Sequence, residues 1–277
     1  QETTDQAINF LFIFGQKRSD ARSARLRKVC FFELRTTTVG QKNCALRSLS
    51  IWLTFAGWRL RPSRSSSELG RRTFTVLVQL LGRERTFAVE NPGYPALRTH
   101  YELSGAHVVG IPVDESGLDV ATLRASKASI AHCSPAHQFP TGSVMSAVRR
   151  HELLDWAREA SKQDTFRNAE RPDVKDRPLK RYIIEDDYDS EFRMRGRPIP
   201  PLFMQDVQGS VIYMNTFTRS LGSVFRIAYM VLPPQLLSVF NERFMARACM
   251  VGALEQLELA RFIASGDYER HVNRQRT

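Results

Sequence analysis

Two clusters of polar residues, each directly after a short apolar run, have the residue types and spacing for chemistry. Residues 185–188 (EDDY) follow the run YII, and residues 215–219 (NTFTR) follow the run SVIYM. In open α/β sheets ligands bind beyond the carboxyl ends of the strands, where both clusters fall. The acidic cluster could hold a divalent metal, but a metal site needs further carboxylates or histidines at recognisable spacing, and none are evident. The clusters therefore predict a ligand site without a metal, with a solvated strand end as the alternative for EDDY.

The elements that position these clusters form an alternating pattern. The runs YII, SVIYM and RIAYMVL are short and rich in β-branched and aromatic residues, which is typical of buried strands. From Thr73 onward, strands such as RTFAVEN, HVVGIPVD and SIAHCSP alternate with helices such as FTVLVQLLGRE, which ends at Gly82. The alternation predicts an α/β fold with a mainly parallel sheet flanked by helices.

A further helix continues this pattern, and a charged insertion follows it. The segment SVMSAVRRHELLDWAREASK predicts an amphipathic helix. Its apolar side is formed by Val144, Val148, Leu153, Leu154 and Trp156. Residues 163–180 are charged, contain two prolines and lack an apolar period, which predicts a surface insertion.

Composition excludes several classes of protein. The chain has 277 residues and 42% apolar content, enough for one sizeable core. Neither an apolar run of membrane-spanning length nor a secretory signal is visible, so we expect no membrane association. Four cysteines lie far apart without a CxxC pair, which indicates a reduced, cytoplasmic protein.

Six short sequence motifs, in the right order and over roughly half of the chain, resemble the motifs of one family. They are ENPGYPALR, SPAHQFPTG, IIEDDYDSEFR, GRPIPPL, VIYMNTFTRSL and FRIAYMVLPP. The chain resembles the pyridoxal-phosphate domain of MocR-type regulators, which are GntR-family transcription factors with an aminotransferase-like (class I/II) domain. The resemblance implies the large domain of the fold-type I pyridoxal-phosphate transferases. It also implies pyridoxal 5'-phosphate as cofactor, an amino-acid or amine effector, a homodimer, and DNA binding through a winged-helix module that we do not see in this chain.

The resemblance assigns roles to four residues of the clusters. Asp186 matches the carboxylate that keeps the pyridine nitrogen protonated, and Tyr188 matches the tyrosine that hydrogen-bonds the phenolic oxygen of the ring. Arg226 matches the arginine that pairs with the cofactor phosphate, and Thr216 matches a phosphate-contacting hydroxyl. A surface arginine on a turn before a strand is the alternative interpretation of Arg226.

One position departs from the family pattern. The family word TFSK carries the lysine that forms a Schiff base with the cofactor aldehyde, and here the word is TFTR, with Arg219 in that place. A guanidinium stays protonated and offers no free amine for condensation. We therefore expect non-covalent binding of the cofactor at best, and no aminotransferase activity.

Three more residues match site-lining positions less specifically. His137 and Gln138 lie in SPAHQFPTG, the counterpart of the aminotransferase loop that approaches the oxygen of the ring. By themselves, such residues in a Pro/Gly loop more often only form a turn. Tyr94, in NPGY, matches a site-lining aromatic residue, although an aromatic residue at the start of a helix usually packs in the core. His151 and His271 fall on predicted helices and are interpreted as surface residues.

Residues 1–72 differ from the rest of the chain. They contain fourteen Lys/Arg against five Asp/Glu, which is +9 of the net charge of +11. NFLFIF and KVCFFEL indicate strands, and residues 59–72 indicate a polar linker. The glycine-rich word GAGTE, whose amides receive the cofactor phosphate in the family, is absent. A basic tail that binds DNA is one interpretation of this charge.

A shift of reading frame is the other interpretation. Residues 64–72 can be encoded as CGA TCG TCG TCG GAG CTG GGA CGG AGG. Read two bases later, these codons give IVVGAGTE, the missing phosphate-loop word at the right position. We hypothesise that the region before Thr73 is translated out of frame, as in a decaying gene, or is disordered.

The predicted organisation has three parts. They are an atypical basic segment (1–72), an aminotransferase-like large domain (73–240), and a helix leading to a missing C-terminal subdomain (241–277). Since the chain starts with Gln, we expect the native start to be missing as well. Three functions stay open: the effector domain of a MocR-type regulator, a stand-alone class I/II aminotransferase, and an inactive gene-decay product.

Overall fold

A computed structural model describes residues 9–12, 32–35, 51–54, 67–170, 180–192, 200–222, 227–244, 251 and 253–276. Its strands lie in one sheet of order β1-β2-β3-β10-β9-β8-β7-β4-β5-β6. The strands are β1 (Asn9–Phe12), β2 (Phe32–Arg35), β3 (Ile51–Thr54), β4 (Thr86–Asn91), β5 (His107–Asp114), β6 (Gly117–Leu118), β7 (Ile130–Cys133), β8 (Tyr182–Asp186), β9 (Val211–Thr216) and β10 (Ala228–Val231).

The middle of the sheet is parallel, as the alternating pattern predicted. β5 pairs with β4, β4 with β7, β7 with β8 and β8 with β9, all in parallel. β10 closes this part by pairing antiparallel with β9. Every residue of β7 and the first four of β8 are buried, because a parallel sheet is covered on both faces. This continuous burial explains why the runs YII and SVIYM are apolar without alternation.

Helices cover the two faces of the parallel strands. The helices are α1 (Ser67–Leu81), α2 (Pro95–Leu103), α3 (Val120–Ala125), α4 (Ala147–Glu170), α5 (Leu202–Gln205), α6 (Thr218–Leu221), α7 (Pro234–Phe244), α8 (Ala253–Ala264) and α9 (Asp267–Gln275). A 3-10 turn, Ser190–Phe192, lies between β8 and α5. No helix in the described part of the chain is both long and apolar enough to cross a membrane.

Two hydrophobic cores lie on opposite faces of the sheet. One joins α1, α2 and α7 to Ile184 and Ile212, and the other joins α3 and α4 to Ile183 and Val211. Neighbouring residues of one strand enter different cores because side chains alternate across a strand. Burial on both faces makes the parallel strands rigid, and it fixes their carboxyl ends at one edge.

The start of α4 corrects part of the sequence prediction. Leu153, Leu154 and Trp156 are buried as expected, but Val148 is 70% exposed and Val144, which precedes the helix, is 45% exposed. The apolar side therefore begins one turn later than predicted. α4 also continues to Glu170, so residues 163–170 of the predicted insertion are helical, and 171–179 lie outside the described residues.

The basic segment contributes more secondary structure than its sequence predicts. The expected strands in NFLFIF and KVCFFEL are present as β1 and β2, and β3 pairs antiparallel with both β2 and β10. α1 begins at Ser67, inside the stretch interpreted as a linker. The rest of 1–66 lies outside the described residues, and the boundary at Thr73 stays a prediction.

Candidate functional site

Four loops meet at the carboxyl edge of the parallel strands. β4 ends at Asn91, β7 at Cys133, β8 at Asp186 and β9 at Thr216. Since the four strands are parallel and adjacent, the residues that follow them gather at one edge. The two polar clusters singled out in the sequence are therefore neighbours, and the loops after β4 and β7 join them.

Asp186 ends β8 and is partly open to solvent, with 32% of its side chain exposed. Behind it lies His132, on the adjacent strand β7, whose Nε2 is 3.6 Å from Asp186 Oδ2. The other ring nitrogen of His132, Nδ1, is 2.6 Å from the hydroxyl of Tyr101 on α2. His132 and Tyr101 are buried, so the carboxylate has a polar contact on its protein side. Sequence reasoning missed both residues.

Tyr188 and His137 form a second group at this edge. Their rings stack with centroids 5.8 Å apart and planes 19° from parallel. His137 Nδ1 lies 2.5 Å from Asp189 Oδ2, a charge-assisted hydrogen bond to a buried carboxylate. Burial, followed by the charges of Asp189 and Asp186, raises the pKa of Tyr188 to about 12, with Arg219 acting in the opposite direction. Tyr188 is therefore a hydroxyl donor at neutral pH.

Asp189 was not among the predicted site residues, although it stands one position beyond EDDY. The signal was a third aspartate in the word EDDYD. Sequence spacing could not show that this carboxylate turns towards His137, 52 residues away in the chain. Only the packing of the loop after β7 against the segment after β8 brings them together.

Gln138 shapes the loop after β7. Its amide Nε2 donates to the carbonyl of Pro92 at 2.8 Å and to that of Phe139 at 2.5 Å. Its Oε1 accepts from both the backbone N and the hydroxyl of Thr141. Since Gln138 is buried, its amide holds the loop in place and links it to the turn after β4. This contact pattern is that of a loop-forming residue, the alternative weighed from the sequence.

Tyr94 lies at the open rim of the site. It is 47% exposed, and its ring packs edge-on against Phe139 with centroids 6.2 Å apart. Tyr94 therefore lines the surface of the edge, and the expectation that an aromatic residue at a helix start is buried in the core is wrong. Cis peptide bonds precede Pro92 and Pro140 in the two loops that carry this pair.

The turn after β9 carries Arg219. Thr216 Oγ1 lies 2.9 Å from Thr218 Oγ1 and accepts from Thr218 N at 3.1 Å, so the hydroxyl of Thr216 organises the start of α6. Phe217 N donates to Ile227 O at 2.8 Å, which ties the turn to β10. Arg219 is exposed and close enough to Tyr188 to affect its ionisation. Arg226, the predicted phosphate arginine, lies outside the described residues.

No lysine whose side chain is described stands at this edge. The two such lysines are Lys127 and Lys180, which precede β7 and β8 and so belong to the opposite edge of the sheet. Lys180 Nζ donates to the carbonyls of Gln208 and Gly209, at 2.8 and 3.1 Å. Within the described residues, Arg219 is the cation whose charge acts to lower the pKa of Tyr188.

Glu90 is a half-buried acid beside the site that the sequence analysis did not select. Its Oε2 accepts a hydrogen bond from Ser134 N at 3.3 Å. Burial raises the pKa of Glu90 to about 8, and the charge of Asp186 acts in the same direction. Glu90 is therefore largely protonated at neutral pH, which leaves Asp186 without a second full negative charge at its side.

Arg150 and Glu185 are buried side chains that hold the loops beside the site. Arg150 donates to the carbonyls of Pro135 at 2.7 Å and Met145 at 3.1 Å, and its Nη1 is 3.9 Å from Glu185. Glu185 accepts from the backbone N of Leu202 and Phe203 at the start of α5. Burial raises the pKa of Glu185 to about 7. These two side chains fix the positions of the loops beside the site.

Helix α9 docks against the turn that carries Arg219. The hydroxyl of Tyr268 lies 3.0 Å from Ser220 Oγ and donates to Glu191 Oε1 at 3.4 Å. His271 Nε2 donates to Ser220 O at 2.8 Å. His271 was interpreted as a surface residue, and this contact corrects that interpretation, whereas His151 is exposed as expected. α9 therefore links the turn after β9 to the segment after β8.

Comparison with known proteins identifies relatives of this chain. No protein-family model matches the chain. Over 201 residues (73% of the chain) it is 36% identical to the uncharacterized HTH-type transcriptional regulator YdeL of Bacillus subtilis. Over 188 residues (68% of the chain) it is 33% identical to the probable rhizopine catabolism regulatory protein MocR of Rhizobium meliloti. It spans only 39% and 34% of these relatives.

The fold is that of the aminotransferases. The kynurenine aminotransferase of Pyrococcus horikoshii superposes with a TM-score of 0.60 at 23% identity, covering 82% of this chain and 51% of that enzyme. That structure was solved in complex with PMP, with KYN and KYA as substrates and products. The sheet and its flanking helices therefore have the fold of the large domain of fold-type I transferases, as the sequence motifs implied.

Proposed function

Because the chain belongs, over the region it shares with them, to the MocR-type family of aminotransferase-like regulators, we propose that it is the part of such a regulator that binds pyridoxal 5'-phosphate. In this proposal the cofactor is held without a covalent bond, and an amino acid or amine is the effector. The observation that carries the proposal is the stacking of Tyr188 on His137 beside Asp186 at one sheet edge, with Arg219 on the neighbouring turn.

The residues at this edge fit the cofactor, which supplies an aldehyde and an electron-accepting ring when bound. Asp186 is an ionisable acid at the end of a parallel strand, suited to hold a proton on the pyridine nitrogen. Tyr188, with a pKa of about 12, can donate to the phenolic oxygen. Thr216 and Arg226 are the proposed phosphate partners, since a hydroxyl and a guanidinium both suit a phosphate dianion.

In this proposal, the side chain of Arg219 allows the site to bind its ligands but not to catalyse transamination. A guanidinium can pair with an anionic group of the ligand, but it cannot condense with an aldehyde or shuttle protons at neutral pH. The site therefore binds cofactor and effector without transamination, which suits a sensor and disfavours a stand-alone aminotransferase. DNA binding would need a winged-helix module, and we propose a cytoplasmic homodimer as the working assembly. An inactive product of gene decay is the rival hypothesis, and it predicts no cofactor binding.

A binding measurement on three variants tests the proposal. Wild-type protein is titrated with pyridoxal 5'-phosphate by calorimetry, then treated with borohydride and weighed by mass spectrometry, beside Arg219→Lys and Arg219→Gln. We expect reversible binding and no trapped adduct in the wild type, a trapped adduct in Arg219→Lys, and roughly tenfold weaker binding in Arg219→Gln. Absence of heat and of adduct in all three, in protein that unfolds cooperatively, would refute the proposal in favour of the relic.

A further inference from the structure

Three residues from three different elements form a continuous polar chain that ends at the site. Tyr101 lies on α2, His132 on β7 and Asp186 at the end of β8. The hydroxyl of Tyr101 is 2.6 Å from His132 Nδ1, and His132 Nε2 is 3.6 Å from Asp186 Oδ2. Tyr101 is completely buried and His132 is 1% exposed, so solvent does not compete for these groups. Asp186 alone of the three reaches solvent.

The direction of the hydrogen bonds follows from burial. A buried tyrosine hydroxyl must donate its proton, and within the described residues its acceptor is His132 Nδ1. Burial raises the pKa of Tyr101 well above its ordinary value, so the proton stays on its oxygen. When Nδ1 accepts, the imidazole proton is on Nε2, the nitrogen that faces Asp186.

Within the described residues, the polar contacts of the His132 side chain are those with Tyr101 and Asp186. Its ring packs edge-on against Phe74 and Tyr101, with centroids 5.7 Å away in both cases. Nε2 makes no hydrogen bond at its present distance from Asp186. A movement of about half an ångström would bring the pair to ordinary hydrogen-bond length. Hydrogen bonds between site residues commonly tighten when a ligand binds.

We propose that Tyr101 and His132 are positioning residues for Asp186, which fix the imidazole tautomer so that its Nε2–H orients the carboxylate towards a protonated ring nitrogen of the ligand. This inference rests on the proposed function, because it assigns a task to the contact between Asp186 and the cofactor. It restricts the ligand class to pyridinium-type rings, since a ring without the nitrogen gains nothing from an oriented carboxylate. Sequence words could not reveal it, because Tyr101 and His132 lie outside the motifs that carry the ligand contacts.

The tautomer can be measured without any cofactor. Nitrogen-15 NMR of histidine-labelled protein distinguishes a proton on Nε2 from one on Nδ1. We expect His132 in the wild type to carry its proton on Nε2, and Tyr101→Phe to lose this single fixed form while keeping the packing of the ring. A proton on Nδ1 in the wild type would overturn the proposal, whether or not the cofactor binds.

The consequence for the ligand is tested by two probes. Pyridoxal 5'-phosphate and its 1-deaza analogue, which has carbon in place of the ring nitrogen, are titrated into wild type, Tyr101→Phe and Tyr182→Phe. Tyr182 is a matched control, because it is a buried tyrosine at the other end of β8. We expect Tyr101→Phe to bind pyridoxal 5'-phosphate about tenfold more weakly than wild type, with the analogue unaffected and Tyr182→Phe unchanged for both.

Each remaining outcome is decisive. Equal weakening of both probes in Tyr101→Phe would show a merely structural role and reject the proposal, as would unchanged binding of both. If wild type binds neither probe, the proposed function fails and the positioning role fails with it. The NMR result would then still establish whether Tyr101 donates to His132 Nδ1, so the two failures are distinguishable.

Discussion

The two sides of the candidate site are held by different means. The acidic side, defined as the segment 185–192 with the loop 134–142, is tied down by buried polar groups such as Arg150, Glu185 and Gln138. The turn side, defined as residues 215–221, is the end of β9 and the short helix α6, with contacts to α9. Both sides lie in motifs that resemble the family, but the turn side carries Arg219 where the family motif has lysine. Buried polar networks therefore fix the acidic side, whereas the position of the turn that carries Arg219 depends on contacts from one helix.

Removal of Arg150 should have the largest effect. Arg150→Met leaves Glu185 without its cation and the carbonyls of Pro135 and Met145 without a donor. We expect the free energy of unfolding to fall by about 3 to 5 kcal/mol. Urea denaturation measures this, with Arg98→Met as control, because the exposed pair of Arg98 with Glu102 should contribute well under about 1 kcal/mol. Similar losses of unfolding free energy in both variants would show that the buried network stabilises the fold no more than the exposed ion pair does.

The pH dependence of stability should come next in size. The carboxyl of Glu90 ionises near pH 4.5 when unfolded but near pH 8 when folded. Between these values the unfolded chain releases a proton that the folded chain keeps, so the free energy of unfolding falls as pH rises, by a few kcal/mol in order of magnitude. In Glu90→Gln this fall should shrink, leaving a smaller one from Glu185, whose folded pKa is about 7.

The matching control for that measurement is Glu102→Gln. Glu102 is exposed and paired with Arg98, so its substitution should leave the slope of stability against pH as it is in wild type. Denaturation series at pH 5, 6, 7 and 8 give the slopes. An unchanged slope in Glu90→Gln would mean that Glu90 ionises normally in the folded protein, and that Asp186 has a second negative charge beside it.

The smallest effect should fall on the turn side. Tyr268→Phe removes the hydrogen bonds of the Tyr268 hydroxyl with Ser220 Oγ and Glu191 Oε1 and should lower the free energy of unfolding by about 1 kcal/mol. Faster amide exchange is expected at Leu221, whose N donates to Phe217 O at 2.8 Å within the same turn. A double-mutant cycle with Ser220→Ala isolates the pair. A coupling energy near zero would show that α9 rests on the turn without stabilising it.

Much of this protein could be read from the sequence for a physical reason. Strands buried on both faces need unbroken apolar runs, so the runs YII and SVIYM predicted β8 and β9. The polar residues that follow these runs predicted the location of the candidate site. The difference at Arg219 was visible in the sequence, because this residue stands in a motif where the family has lysine. Its consequence was predictable as well, because the lack of a free amine is a property of the arginine side chain itself. The exposed Val148 was not foreseen, because helical periodicity cannot tell where the covering element stops.

Contacts between distant segments were decided only by the tertiary structure. His137 and Asp189 are 52 residues apart, and Tyr101 and His132 are 31 apart, with nothing in their local sequence that marks a partner. The same holds for Glu90, an ordinary acid in the sequence that becomes largely protonated through burial. Local residue types determine which strand and which chemistry are possible, whereas desolvation and distance depend on every element packed around a side chain.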